Sequence, residues 1–126
     1  MMFEQVLFNL AVKVNVIHSI PGRLRVNIPY AKKIPKEWQL ENNYFNVIRR
    51  MKGIKDIQFS YVTLNGLVLY DINETQPDQI IKMFYDIAKV VNKYKNELSS
   101  FNADHKDDAV ECFTRLIEAH FDLINT

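Results

Sequence analysis

Apolar positions change their period several times along the chain, and each change marks an element. Met2, Phe3, Val6, Leu7 and Leu10 recur at helical spacing and predict a short amphipathic lead-in. From Ala11 the period drops to two: Val12, Val14 and Val16 alternate with Lys13 and Asn15, as in a half-buried strand. His18 continues the parity of the valines. Its imidazole is expected on the core side if the strand stays regular, and outward if a bulge falls at Ser19 or Ile20. Pro21-Gly22 then interrupts the apolar run, because proline removes a ladder donor and glycine permits otherwise closed backbone angles. The pair reads as a bulge or sharp bend. Beyond it a second strand segment puts Arg23 and Arg25 on one face and Leu24, Val26 and Ile28 on the other.

A two-proline loop, Pro29 to Pro35, precedes a predicted helix from about Lys36 to Lys52, with Leu40, Tyr44, Val47, Ile48 and Met51 as its stripe and Gly53 as its stop. Ile54 to Leu64 and Leu67 to Ile72 read as two antiparallel strands about an Asn65-Gly66 turn. A helix from near Thr75, with Thr75 and Asp78 at capping-box spacing, runs to about Lys95 or Leu98 on Ile80, Ile81, Phe84, Ile87, Ala88 and Val91. Ser99 to Asp107 is polar and turn-rich, hence a linker. Asp107 or Asp108 can cap a last helix faced by Val110, Phe113, Leu116, Ile117, His120 and Ile124.

The resulting order of strand, helix, strand, hairpin, strand, helix predicts an α+β fold: a ferredoxin-like antiparallel sheet with two helices on one face, plus an extra C-terminal helix. The usual final strand is missing, and Ala11 to His18 is available to replace it at the sheet edge. At 126 residues and 48% hydrophobic content the chain suits one core with an appendage, residues 1–98 forming the domain and residues 99–126 a linker and helix that packs on the domain or on a partner. The net charge of +1 conceals a basic first half and an acidic end, two blocks able to dock within one chain or between copies. One cysteine, Cys112, excludes an intramolecular disulfide and suits a reducing compartment, and Asn9, Lys13 and Asn15 interrupt the N-terminal apolar run. A cytoplasmic protein without a signal peptide or membrane span is expected.

Three blocks, His18-Ser19-Ile20-Pro21-Gly22-Arg23-Leu24-Arg25-Val26, Met51 to Ile57 and Thr63 to Asp71, resemble the heavy-metal-associated-like domain of the His-x-x-Pro-Gly-Arg-x-Arg type. The resemblance covers roughly residues 11 to 95. It implies a ferredoxin-like fold and a role in metal or haem homeostasis, alone or beside a metal-transporting ATPase. In metal-carrying members two cysteines occupy the loop after the first core strand. Here that loop, Tyr30 to Pro35, holds no cysteine, histidine or carboxylate, which argues against copper by the two-cysteine route.

Other chemistry is sparse. His18, His105, His120 and Cys112 are the only imidazoles and thiol, and Cys112 and His120 lie about 80° apart on a helix, so no helical chelate forms. His18, Arg23 and Arg25 supply the groups that a haem would need, an axial ligand and cations for its propionates. Phe59, Tyr61, Val62, Leu64, Val68 and Tyr70 offer apolar walls on both parities, so the second sheet face is expected to be covered by the last helix, a second subunit or a ligand. His18 also suits a structural bond to the bent backbone, and the arginines suit solvation or ion pairing with the acidic end. Near-zero net charge argues against nucleic acid, and no nucleophile triad or phosphate loop occurs. The expected protein is a non-enzymatic binding or accessory module, with His18, Arg23 and Arg25 as its ligand-binding residues. The competing reading is a structural module that homo-oligomerises through the sheet face and C-terminal helix.

Overall fold

The computed structural model describes residues 3–123, and of Asn43 the backbone only. Met2 and Ile124, both assigned above to helix faces, lie outside the described residues. Helix α1 (Phe3–Val12) buries Phe3, Val6 and Leu7 at the expected spacing, and Lys13 N closes it on the Asn9 carbonyl at 3.0 Å. It reaches through Val12, so the first strand begins later than the valine alternation suggests, as β1 (Asn15–Ile20). Pro21-Gly22 turns the chain directly into β2 (Arg23–Asn27). Gly22 takes φ +83°, which side chains rarely tolerate, and its carbonyl accepts from Tyr70 N at 3.0 Å. The bend is therefore the turn of a hairpin.

The helix predicted over 36 to 52 is not continuous. Residues Pro29–Lys33, Lys36–Trp38 and Asn42–Phe45 form 3-10 turns, followed by the single turn of α2 (Asn46–Arg49). Its apolar stripe is nonetheless right: Leu40, Val47, Ile48 and Met51 are buried. The helix fails because asparagine offers backbone groups a competing partner. Asn42 turns its amide onto the neighbouring strand, accepting from Phe59 N at 2.7 Å and donating to Phe59 O at 3.3 Å. Buried Trp38, its ring 5.9 Å from that of Phe3, anchors the irregular segment to α1.

β3 (Ile54–Ser60) and β4 (Asn65–Tyr70) form the expected hairpin with a different turn. Asn65 and Gly66 lie inside β4, paired with Ser60 and Phe59, and the chain reverses over Tyr61 to Leu64 with Leu64 at φ 63°. Gly66 is required by packing, since a Cβ there would lie 2.9 Å from Val26 Cγ2 on β2. Helix α3 (Pro77–Lys93) is capped one residue later than expected, at Gln76, whose N–H donates to Gln79 Oε1 at 3.2 Å. Thr75 is instead buried against Gly53, where any Cβ would meet its methyl at 2.6 Å. After α4 (Lys95–Ser99) and a 3-10 turn, α5 (Lys106–His120) buries Ala109, Phe113 and Ile117. His120, predicted on the buried face, is exposed at the helix end and shares a 3.2 Å hydrogen bond with the Tyr94 hydroxyl.

The four strands lie in the order β1-β2-β4-β3, every neighbouring pair antiparallel. The N-terminal strand occupies the edge beside β2. Along β2 and β4, Leu24, Val26, Gly66, Val68 and Tyr70 are buried and the residues between them are not. Helices α1, α3 and α5 all pack on that one face, around an apolar cavity of about 80 Å³ lined by Leu7, Val26, Val68, Phe84 and Phe113 among others. Helix α5 joins α2, α3 and α4 in this layer. Of the three covers expected for the second face, the last helix is therefore not the one: α5 lies in the helix layer, and the described residues leave the opposite face of the sheet open. No helix of the described residues is long and apolar enough to cross a membrane.

Candidate binding face at the edge hairpin

Cross-strand partners share a face, so the ladder identifies what the open side displays. His18 pairs with Arg25 and Ile20 with Arg23. Arg25 and Arg23 pair in turn with Leu67 and Leu69, and these with Gln58 and Asp56. The register between β1 and β2 shifts between Val16 and His18, leaving Ile17 as an extra residue. That shift moves His18 off the parity of Val16. The imidazole is consequently exposed with Arg25 on the open face: the strand is not regular, and the bulge that turns His18 outward falls at Ile17 rather than at Ser19 or Ile20.

The structure thus brings His18, Arg23 and Arg25 together on one exposed patch of the hairpin. Half-buried Leu67 and Leu69 border the arginines, and Ile20 is 44% exposed. Neither arginine has an ion-pair partner among the described residues. The nearest acid along the ladder, Asp56, is held by Arg49 Nε at 2.8 Å. That hydrogen bond, with further bonds from Ile57 N and Gln58, keeps the Asp56 carboxyl below the usual carboxylate range despite opposition from partial burial. Two unpaired guanidinium forks beside an imidazole and an apolar strip can capture a planar anion by paired hydrogen bonds.

The apolar walls proposed for such a ligand are placed elsewhere. Val68 and Tyr70 are buried on the helix side, Phe59 pairs with Gly66 on that same side, and Val62 projects from the turn, 93% exposed. Tyr61 takes a 2.8 Å hydrogen bond from Leu40 N, and burial raises its phenol pKa. The error follows from the turn: once Asn65 and Gly66 join the strand, Leu67 and Leu69 face outward. Their alternation with Gly66, Val68 and Tyr70 was the available signal.

The remaining donors are scattered. His105 lies 3.7 Å from Asp108, His120 meets Tyr94, and no group of three metal-binding side chains occurs among the described residues. Cys112 is half-buried on α5, and burial followed by the charge of Glu97 pushes its thiol up, against the lesser effect of Arg115. The acidic end meets the basic half through Arg50, which reaches Glu118 at 3.0 Å and donates to the Leu123 carbonyl at 2.8 Å. No family model, curated protein or solved structure matches the chain.

Proposed function

We propose that this chain is a non-enzymatic binding and accessory module of the heavy-metal-associated-like type, cytoplasmic, serving metal or haem homeostasis beside a transporter without thiolate chelation. The observation that carries the reading is the convergence of His18, Arg23 and Arg25 on an uncovered sheet face beside Leu67 and Leu69. A haem laid on this face would find an imidazole for its iron, guanidinium groups for its carboxylates and an apolar strip for its ring. The strand order β1-β2-β4-β3 supports the ferredoxin-like assignment, with the N-terminal strand standing where the last strand usually lies.

Titrating the purified chain with haem tests the reading. A Soret shift that saturates at one equivalent, is lost in His18→Ala and is weakened about ten-fold in Arg23→Gln/Arg25→Gln is expected. Equal titration of the three proteins would sink the haem version. The second reading, assembly through the open face, draws on the same exposed Ile20 and half-buried Leu67 and Leu69. It predicts a dimer mass in light scattering that falls to monomer in Leu67→Lys.

A further inference from the structure

The two edges of the sheet are finished in different ways. Along β3, side chains occupy the backbone groups that another strand would need. Asn42 bonds both the N–H and the carbonyl of Phe59, at 2.7 and 3.3 Å. Arg49 Nη2 donates to the Ile57 carbonyl at 2.5 Å, and Asp56 Oδ1 accepts from Ile57 N at 2.8 Å. Along β1, no side chain of the described residues bonds the backbone of Asn15 to Ser19, and only the Ile20 carbonyl has such a contact, from the Tyr70 hydroxyl at 3.4 Å. Protein edges are ordinarily blunted by charge or proline. Residues Asn15 to Ile20 contain neither lysine, arginine, carboxylate nor proline, and the extra residue Ile17 is the sole irregularity. Val16 and Ile17 are each 50% exposed.

Beside this bare edge lie the positive groups. Arg23 and Arg25 stand on β2, one strand in from the edge and on the face shared with His18, so a strand added beyond β1 lies two strand spacings, about 9.6 Å, from them, a gap that an extended arginine and an extended glutamate side chain span together. On the helix side, exposed Tyr85 of α3 shares a surface groove near the start of β1 with Val14, Asn15 and Tyr30 and with two lysines, Lys13 and Lys33, which add to the positive charge at this edge. We propose that β1 is a docking edge for an extended segment of a partner protein that carries carboxylates at alternate positions and apolar residues between them. The segment adds a fifth strand by main-chain pairing. Its two-residue period then sends every carboxylate toward His18, Arg25 and Arg23 and every apolar residue toward Val16 and Tyr85. Charge decides between this occupant and a second copy of β1: the strand has no carboxylate of its own, so self-pairing would leave both arginines unanswered. The inference rests on reading the hairpin as a binding face and names the partner that such a face takes.

Amide spectra of the full-length, isotopically labelled chain, titrated with three acetylated seven-residue peptides, test it. The probes alternate valine with glutamate, alternate valine with lysine, or carry the glutamate pattern with a central proline. The glutamate peptide is expected to shift the amides of Asn15 to Ile20 and to bind at least about ten-fold more tightly than either other peptide. Arg23→Gln/Arg25→Gln, both exposed positions, should retain the circular dichroism of the parent and lose about ten-fold in affinity for the glutamate peptide. Equal affinity for the lysine peptide, shifts centred away from β1, or a dimer already protecting the β1 amides without peptide would each overturn the proposal. Peptide binding without a haem response would remove the ligand reading alone, and a haem response without peptide binding would remove this one alone.

Discussion

The Tyr44 phenol donates a hydrogen bond to the Asp107 carboxylate, joining the irregular segment before α2 to the first turn of α5. The Lys106 ammonium lies over the same ring, 5.7 Å from its centroid. The bond to Asp107, then burial and the charges of Asp107 and Glu41, push the phenol pKa from 10.0 up to about 12. A group whose folded pKa is raised stabilises the fold fully below its unfolded value and loses that contribution as pH climbs toward the folded value. The urea midpoint of the parent should therefore fall relative to that of Tyr44→Phe between pH 10 and about 12, with a constant difference at lower pH. A difference that does not change across that window rejects the assigned bond. Tyr44 was legible in the sequence as part of an apolar stripe and Asp107 as a candidate cap, but nothing in either local pattern joined them. The bond is a product of tertiary packing.

At the scale of elements, periodicity located β2, β3, β4 and the long helices because burial of one face dictates it, misplaced the start of the wholly exposed β1, and failed where a single residue had a stronger partner elsewhere. Asn42 broke the predicted helix by bonding β3, and Gly66 imitated a hairpin turn because its missing side chain was needed for packing. His18 followed the same logic in reverse: one extra residue at Ile17 flipped its face, and a bulge leaves no periodic trace. The Gly66 argument makes a quantitative prediction. Gly66→Ala should cost about 1–3 kcal/mol, because Val26 is buried and its stiff branched side chain cannot move aside cheaply. Combined with Val26→Ala, which removes the opposing methyls, the second substitution should cost less than it does alone. Denaturation of the two single variants and the double variant measures the coupling, and strictly additive costs would show that Gly66 is not retained for this contact.

The whole molecule has one core, and the helix expected to pack on the domain or on a partner contributes to that core within the same chain. Buried Ala109, Phe113 and Ile117 of α5 belong to the same apolar cluster as Phe3 of α1, Leu24 of β2 and Ile80 of α3. Phe113 and Val110 line the central cavity beside Phe84 and Ile87. Arg50 pairs with Glu118, and Lys106 Nζ donates to the Gln39 carbonyl at 2.8 Å, so polar contacts tie the same helix to the segment around α2. Opposite charge in the two halves was visible in the sequence, but the contact surface is carried chiefly by apolar side chains. Removing residues 99–126 should consequently expose the flank of α2, α3 and α4 and abolish cooperative unfolding. Phe113→Ala alone, in which a 3% exposed ring is deleted, should cost about 3–5 kcal/mol. Arg50→Ala, at a partly exposed ion pair, should cost no more than about 1 kcal/mol. Thermal or urea unfolding of these three proteins ranks the contributions. If the truncated chain melts cooperatively near the parent temperature, the helix is an appendage; if Arg50→Ala proves the costlier point substitution, charge rather than burial holds it in place.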